Sequence, residues 1–164
     1  MATKPPSMMR TENRIEIHGN VKRVFQVAAQ VEKWPTILPH YRRVHVLQRK
    51  KRRTTVEMAA RRGPIPVSWT AVQEVSPYER ITYKHIKGFT AGMDVTWSFT
   101  SVQGKVQVVI THDFSLSWPL IGGCVSKYIV GALFVKPIAS RTLRHLKLTV
   151  ESEQTVSRGA EGTR

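Results

Sequence analysis

Residues 24–44 read Val-Phe-Gln-Val-Ala-Ala-Gln-Val-Glu-Lys-Trp-Pro-Thr-Ile-Leu-Pro-His-Tyr-Arg-Arg-Val, and the hydrophobic period changes within them. The apolar residues at the start follow the 3–4 spacing of one helix face. Pro35 and Pro39 confine the chain from Trp34 to His40 to a second, very short helix or a turn. From Tyr41 onward, apolar residues occupy alternate positions, which is typical of a strand. This stretch therefore marks the passage from helices to a sheet.

The flanking sequence extends this pattern in both directions. Upstream, Ile15 and Ile17 alternate with polar residues, which predicts a first strand ending before Gly19-Asn20. Downstream, turn signals separate six alternating runs. These are Val44 and Val46; Val56, Met58 and Ala60; Ile65, Val67, Trp69 and Ala71; Ile81 and Tyr83; Met93, Val95, Trp97 and Phe99; and every second residue from Val106 to Trp118. The simplest arrangement is an antiparallel meander with one apolar face.

Beyond Pro119 the spacing becomes helical and stays so to about Glu153, with a kink or break expected at Pro137. A sheet with one apolar face must be covered, and this helix is the only predicted element long enough to cover it. The sequence therefore predicts an α+β fold. We expect residues 12–153 to form a single domain, with flexible ends at 1–11 and 154–164.

The chain has 164 residues, with 26 Lys and Arg against 11 Asp and Glu, so its formal net charge is +15. A single cysteine, Cys124, excludes a disulfide framework and a Cys-rich zinc site. The N-terminus lacks the apolar region of a signal peptide, and the apolar stretch 120–135 is short and interrupted by Lys127. We therefore expect a cytoplasmic protein without a transmembrane segment.

The quoted stretch resembles the first helix, the Glu-x-Trp-Pro turn and the second strand of bacterial polyketide aromatase/cyclases. Trp97 in Asp94-Val-Thr-Trp-Ser-Phe and the pair Asp113-Phe114 also match. The order of elements over residues 12–153 resembles the helix-grip fold of the START-like (SRPBCC) superfamily, which includes the polyketide cyclase/dehydrase and lipid transport proteins. It is similar also to coenzyme Q-binding START proteins.

The resemblance implies a curved seven-stranded antiparallel sheet around a long C-terminal helix, with two short helices after the first strand and a ligand cavity between sheet and helix. In aromatase/cyclases a Tyr after the Trp-Pro helix lines the pocket, and Tyr41 occupies that place. Those enzymes also carry an Arg shortly after a mid-strand Trp, whereas residues 70–74 after Trp69 contain no Arg. The resemblance therefore implies ligand binding more directly than cyclisation.

His112 lies between Ile110 and Phe114 on an otherwise apolar strand face. It could act as a general acid or base with Tyr41, or it could be a hydrogen-bonded core residue. His85 shares a face with Tyr83, but it lies near a strand end beside two lysines, so we expect it to face solvent. If it faces inward, His85 joins His112 and Tyr83 in a polar cluster. The histidines of the chain are scattered, and no metal-binding or cofactor motif is present.

Large apolar residues on the strands and the helix are candidates for the cavity wall or, equally, for ordinary core. The candidate ligand-binding residues are Trp69, Tyr83, His85, Trp97, Phe99, Ile110, Phe114, Val125 and Ile129. Mostly apolar walls with a few polar groups are what a small-molecule site needs.

A basic strip lies in the part of the sequence between Glu32 and Glu57, which contains no acidic residue. Its members are Arg42, Arg43, Arg49, Lys50, Lys51, Arg52 and Arg53. The run 49–53 is predicted at a hairpin tip, where it either protects a sheet edge or binds an anionic partner. An acidic carrier protein or an anionic membrane fits such a strip. Nucleic acid fits poorly, because exposed aromatic residues are not interleaved.

Three functions follow from the sequence. The first is binding of a hydrophobic small molecule, such as a lipid, isoprenoid or polyketide, between the sheet and the helix. The second is a polyketide aromatase/cyclase or dehydratase that acts by proton transfer in the same cavity. The third is a module that binds polyanions or anionic membranes through the basic strip.

Overall fold

The computed structural model describes residues 8–88, 90–115 and 135–161. In chain order its elements are β1 (Met8–His18), α1 (Val21–Ala29), a 3-10 turn (Val31–Lys33), α2 (Trp34–Ile37), β2 (Tyr41–Lys50), β3 (Arg53–Arg62), β4 (Ile65–Ser76), β5 (Arg80–Gly88), β6 (Met93–Val102), β7 (Lys105–Ser115) and α3 (Lys136–Glu161). The predicted strand, short helices, six strands and long helix are therefore confirmed.

The seven strands form one curved antiparallel sheet in the order β1-β7-β6-β5-β4-β3-β2. Strands β2 to β7 form a meander because each turn between consecutive strands is short. The first strand returns to pair with the last one, with Ile15 opposite Val108. The fold class predicted from the sequence is confirmed.

Helix α3 packs alongside β1 and runs in the same direction. At its start, Asn13 Nδ2 donates a hydrogen bond to Ser140 Oγ over 2.7 Å. Farther along, Lys147 Nζ donates to the backbone oxygen of Glu16 over 2.8 Å. Because neighbouring strands alternate in direction, β4 and β6 begin at the start of α3, and β3, β5 and β7 end there. We call this the helix-start end of the sheet.

The core follows the alternation seen in the sequence. On β3, β5 and β6 the inward positions are buried, whereas their neighbours are exposed or half-buried. Helix α3 covers them with a stripe of four buried residues, namely Ala139, Leu143, Leu146 and Val150. The 4-3-4 spacing of this stripe places all four on one face of a helix. The stripe lies within the stretch of helical spacing that the sequence predicted beyond Pro119.

Helix α3 differs from its predicted bounds. It begins at Lys136, so Pro137 lies in its first turn, where the missing N–H has no intrahelical partner to lose. The predicted helix before residue 135 lies outside the described residues. At the other end the helix continues to Glu161 rather than ending near Glu153. A tertiary contact holds the first residue of this extension, since Gln154 Nε2 donates to the backbone oxygen of His18 over 3.1 Å.

The first strand is also longer than predicted. It begins at Met8, inside the segment expected to be flexible. The reason is pairing with the whole of β7, reinforced by a bidentate ion pair between Arg10 and Asp113 at 2.6 and 3.1 Å.

No helix within residues 8–88, 90–115 and 135–161 is long and apolar enough to cross a membrane.

Candidate ligand-binding site

A cavity of about 70 Å³ lies between the curved sheet and the first turns of α3, at the helix-start end. The sheet contributes inward-facing side chains to it, and the first turns of the helix contribute Ile138, Ala139 and Thr142. The apolar lining comprises Trp34, Met58, Val67, Trp69, Met93, Val95, Trp97, Ile110, Val135, Ile138 and Ala139. The polar lining comprises Tyr41, Tyr83, His85, Thr90, His112 and Thr142.

Aromatic rings form one continuous wall of this cavity. Trp34 packs edge-on against Tyr41, with ring centroids 4.9 Å apart, and lies 5.7 Å from Trp97. Tyr41 in turn meets Trp69 at 6.1 Å. The indole of Trp34 is fixed by donating a hydrogen bond to the backbone oxygen of Ala28 over 3.2 Å. Such ring contacts hold the wall rigid and apolar.

Tyr41 reaches the cavity from the first position of β2, as the family resemblance implied. Burial raises the pKa of its hydroxyl, partly offset by a hydrogen bond with Thr142. The Thr142 hydroxyl donates its own hydrogen to the backbone oxygen of Ile138 over 2.8 Å. Thr142 can therefore only accept from its other partners, so Tyr41 is the donor in their bond and remains a neutral phenol.

His40 is a second hydrogen-bond partner of Thr142, and it too must donate because the Thr142 hydroxyl can only accept from it. Its Nε2 is 2.8 Å from the Thr142 hydroxyl oxygen, which must accept, so Nε2 carries the hydrogen. Its Nδ1 is buried without a hydrogen-bond partner among the described residues. Burial, together with Arg141 and His145, lowers the pKa of His40 to about 4. This histidine is therefore a neutral structural bridge between the loop before β2 and α3.

Tyr83 lies in the middle of β5 and lines the cavity. Gln73, buried on β4, donates from Nε2 to the Tyr83 hydroxyl oxygen over 3.0 Å and to the backbone oxygen of Ala29 over 3.2 Å. Burial raises the pKa of Tyr83 well above its usual range. Tyr83 is therefore a neutral phenol at physiological pH.

The expectation that His85 faces solvent is wrong. Its side chain is 6% exposed and lines the cavity, stacked on Trp69 with centroids 5.6 Å apart and planes 6° from parallel. His85 Nδ1 forms a hydrogen bond with the Thr90 hydroxyl. Alternation along β5 places His85 on the same inward face as Ile81 and Tyr83, and the strand continues to Gly88, so His85 lies inside the strand rather than at its end.

His112 also lines the cavity, as predicted, from the centre of an inward face of β7. Burial lowers its pKa to about 4, against the opposing effect of Asp113. Burial lowers the pKa of His85 to about 3, and the proximity of His112 contributes to that shift. Both imidazoles are therefore neutral at pH 7. His112 Nδ1 is buried and has no hydrogen-bond partner in the described part of the chain.

The structure brings most of the predicted site residues together. Tyr41, Trp69, Tyr83, His85, Trp97, Ile110 and His112 all line the cavity. Phe99 does not, because it lies two inward positions beyond Val95 toward the opposite end of the sheet and packs on Phe25 at 5.3 Å. Phe114 is buried beside His112, with centroids 6.4 Å apart, but outside the cavity lining. Val125 and Ile129 lie outside the described residues.

Several lining residues were missed. Trp34, Met58 and Val95 were recognised as apolar positions, but nothing in their alternation separates cavity wall from core. Thr142 could have been noticed as a polar residue three positions after Ala139 in the apolar stripe of α3. Thr90 could not, because it reaches His85 only through the fold of the turn between β5 and β6.

The run 49–53 of the basic strip lies at a hairpin tip, as predicted, whereas Arg42 and Arg43 lie at the other end of β2, and three charges of the strip are compensated. Acidic residues from neighbouring elements pair with them: Arg43 with Glu57, Arg49 with Glu32, and Arg53 with Glu74. The charge looked uncompensated in the sequence because no acidic residue lies between Glu32 and Glu57. The acidic partners come from neighbouring elements and become visible only in the folded chain. These pairs are exposed, so each contributes at most about 1 kcal/mol.

The tip of the hairpin is remote from the cavity. Tyr41 and Lys50 are the two ends of β2, so they lie about 30 Å apart at the usual rise per residue. Lys50, Lys51 and Arg52 are exposed there and border a groove of about 480 Å³ that Arg80 also lines.

Within the described ranges, no cluster of three or more His, Cys, Asp or Glu residues could hold a metal ion.

Comparison with known proteins assigns this architecture to a family. The family model for polyketide cyclase / dehydrase and lipid transport proteins matches residues 17–129. The bifunctional cyclase/dehydratase of the actinorhodin polyketide synthase of Streptomyces coelicolor is 26% identical over 113 residues, covering 67% of this chain. That match spans only 36% of the relative, about a third of its length.

Solved structures share the fold. The Zhui aromatase/cyclase of Streptomyces sp. R1128 superposes with a TM-score of 0.78 at 18% identity, covering 88% of this chain and 94% of that one. The protein TTHA0849 of Thermus thermophilus gives 0.76 at 22% identity, with coverages of 88% and 99%. A START superfamily protein of Mycobacterium smegmatis gives 0.70 at 12% identity, with coverages of 87% and 97%. The chain belongs to the polyketide cyclase/dehydrase and lipid transport family.

Proposed function

We propose that the protein binds a mostly apolar small molecule in the cavity between the sheet and α3. The observation that carries this proposal is the cavity lining, in which a rigid wall of Trp and Tyr rings surrounds a few convergent polar groups. The family assignment supports the same class of ligand, since its description includes lipid transport. A lipid, an isoprenoid or a polyketide-like ring compound has suitable chemistry.

Burial of apolar ligand surface supplies the binding free energy. A ligand that buries about 200 Å² of apolar surface gains about 5 kcal/mol before the cost of association is subtracted. The cavity as it stands is smaller than the roughly 150 Å³ that holds benzene in an engineered protein core. Met58 and Met93 line it, and their unbranched side chains can change rotamer to make room.

Native mass spectrometry tests the proposal. The purified protein is sprayed intact, and organic extracts of the same preparation are analysed for small molecules. We expect a bound apolar compound of defined mass that dissociates on collisional activation. A protein that remains empty, also after incubation with a panel of fatty acids and aromatic ketones, would contradict the proposal.

A second candidate is a cyclase or dehydratase that works by proton transfer. The observation that favours it is the pair of neutral imidazoles, His85 and His112, at one apolar cavity. In a dehydration, a neutral imidazole of His112 would take a proton from the carbon beside a ligand carbonyl. It would return that proton to the departing hydroxyl, which leaves as water. The oxygen of Tyr41, whose hydrogen is directed to Thr142, would accept a hydrogen bond from a hydroxyl of the ligand.

The test of this activity is His112→Gln. It should abolish turnover of a β-hydroxy ketone while preserving the far-ultraviolet circular dichroism spectrum and the affinity for a non-reacting ketone. A variant with undiminished turnover would remove His112 from the mechanism.

The hairpin tip supports a docking role for an acidic protein surface. Lys50, Lys51 and Arg52 have no carboxylate partner within the described residues, and the groove beside them is lined mainly by basic and hydroxyl groups. A groove accommodates a protruding acidic element better than a flat membrane does. The distance of the tip from the cavity separates this role from ligand binding.

A further inference from the structure

Gln73 is a buried amide that the sequence did not single out, and it connects the cavity to α1. It is 4% exposed and lies on β4 at an inward position. Its Nε2 contacts two oxygens, the backbone carbonyl of Ala29 at 3.2 Å and the hydroxyl of Tyr83 at 3.0 Å. A buried polar side chain inside an apolar sheet face needs such partners, since an unpaired one costs free energy.

The carbonyl of Ala29 fixes which way the Gln73 amide points. A carbonyl oxygen can only accept, so the NH2 group rather than the oxygen of the amide must face it. The same nitrogen then also faces Tyr83. Gln73 therefore donates to the Tyr83 hydroxyl, and that hydroxyl oxygen accepts.

This arrangement determines the direction of the Tyr83 hydrogen. Because the oxygen accepts from Gln73, its own hydrogen is left to donate elsewhere, and Tyr83 lines the cavity. No acceptor for that hydrogen occurs in residues 8–88, 90–115 and 135–161. Tyr41 differs, since its hydrogen is directed to Thr142. A buried donor without an acceptor is a ready subsite for a ligand oxygen.

We propose that the Tyr83 hydroxyl donates a hydrogen bond to an acceptor oxygen of the ligand, a ketone, ester or enolate oxygen, and that Gln73 is the positioning residue that sets this polarity. The inference rests on the proposed ligand-binding function and narrows its ligand class. A pure hydrocarbon fills the cavity but leaves the hydroxyl hydrogen of Tyr83 without a hydrogen bond. A carbonyl compound of the same shape supplies an oxygen that accepts this hydrogen bond.

The test uses two probes of nearly identical shape, acetophenone and α-methylstyrene, which differ in an oxygen against a methylene group. Their dissociation constants are measured by 1H–15N NMR titration with the wild type, Tyr83→Phe, Gln73→Met and the control Tyr78→Phe. Tyr78 is a partly exposed tyrosine in the turn between β4 and β5, away from the cavity. The infrared carbonyl stretch of bound 13C-labelled acetophenone is recorded in parallel.

We expect Tyr83→Phe to weaken acetophenone relative to α-methylstyrene by about fivefold, the effect of one hydrogen bond. Gln73→Met should reduce the same preference, although by less, and Tyr78→Phe should leave it unchanged. The carbonyl stretch should lie at lower wavenumber in the wild type than in Tyr83→Phe. A purely structural role of Gln73 would instead weaken both probes equally and leave the carbonyl stretch of the bound ketone in place.

The outcomes separate this inference from the function on which it rests. If both probes bind the wild type and neither variant changes their ratio or the carbonyl stretch, the inference is overturned while ligand binding stands. If neither probe binds the wild type, the proposed function fails for this ligand class, and the inference fails with it.

Discussion

Buried histidines should make the folded protein sensitive to mild acid, and His112 provides the sharpest test. In the folded state the pKa values of His40, His85 and His112 are lowered to about 4, 3 and 4, with burial as the main cause. In the unfolded chain a histidine has a pKa of about 6.5. The unfolded state therefore binds more protons below pH 6.5. The stability that these neutral histidines provide is complete above that pH and is lost as the pH falls toward 4.

The magnitude follows from the linkage between proton binding and folding. Between pH 7 and pH 5, each of these histidines should lower the free energy of unfolding by about 2 kcal/mol, and the three together by about 6 kcal/mol. A typical domain has only about 5–15 kcal/mol in total. The protein should therefore lose a large part of its stability over two pH units, without any change in its surface ion pairs.

The assay is urea unfolding followed by tryptophan fluorescence at pH 7 and pH 5. For His112→Gln, the loss of stability between the two pH values should be about 2 kcal/mol smaller than for the wild type. His45→Gln is the matched control, since His45 is exposed on β2. The reasoning is refuted if His112→Gln loses as much stability between pH 7 and pH 5 as the wild type does.

Three further changes test other parts of the account. Met93→Ala should enlarge the cavity and lower the free energy of unfolding by about 2–5 kcal/mol. Calorimetric titration should then show tighter binding of larger ring ligands, and an unchanged preference for ligand size would contradict this. Gly88→Ala should destabilise the protein by more than about 1 kcal/mol, because Gly88 has a φ of 89° and a Cβ there would clash with the backbone oxygen of Ser68. An unchanged midpoint of urea unfolding would contradict this. The triple change Lys50→Glu, Lys51→Glu and Arg52→Glu should abolish salt-sensitive retention on immobilised polyglutamate and leave probe binding intact; retention that survives would assign it to other basic residues.

The fold could be predicted from the sequence because its signals are local. Alternation from Val44 to His112 identifies strands and their inward faces, and the stripe from Ala139 to Val150 identifies the covering helix. Each depends on a residue and its near neighbours in the chain. The continuation of α3 past Glu153 was missed because the contacts of Glu153 with Arg23 and of Gln154 with His18 join residues distant in sequence.

The site was predicted only in part because its polar groups depend on pairing across the fold. His85 looked solvent-facing because two lysines and an expected strand end lie beside it, but β5 continues to Gly88, and Thr90 in the following turn bonds the imidazole. Gln73 looked like an ordinary polar strand residue until Ala29 and Tyr83 were placed beside it. The basic strip looked uncompensated because Glu32 and Glu74 approach it from other elements.

The central claim is that a ligand occupies the cavity under α3, and filling that cavity tests it most directly. Ala139 is buried, lines the cavity and faces the sheet, so Ala139→Leu should occupy part of its volume at a cost of about 1–3 kcal/mol. Ala59→Leu, on the opposite face of β3, is the control. Calorimetric titration with acetophenone should show binding to the wild type and Ala59→Leu but at least tenfold weaker binding to a folded Ala139→Leu. Equal affinity in all three proteins would contradict the claim and place the ligand elsewhere.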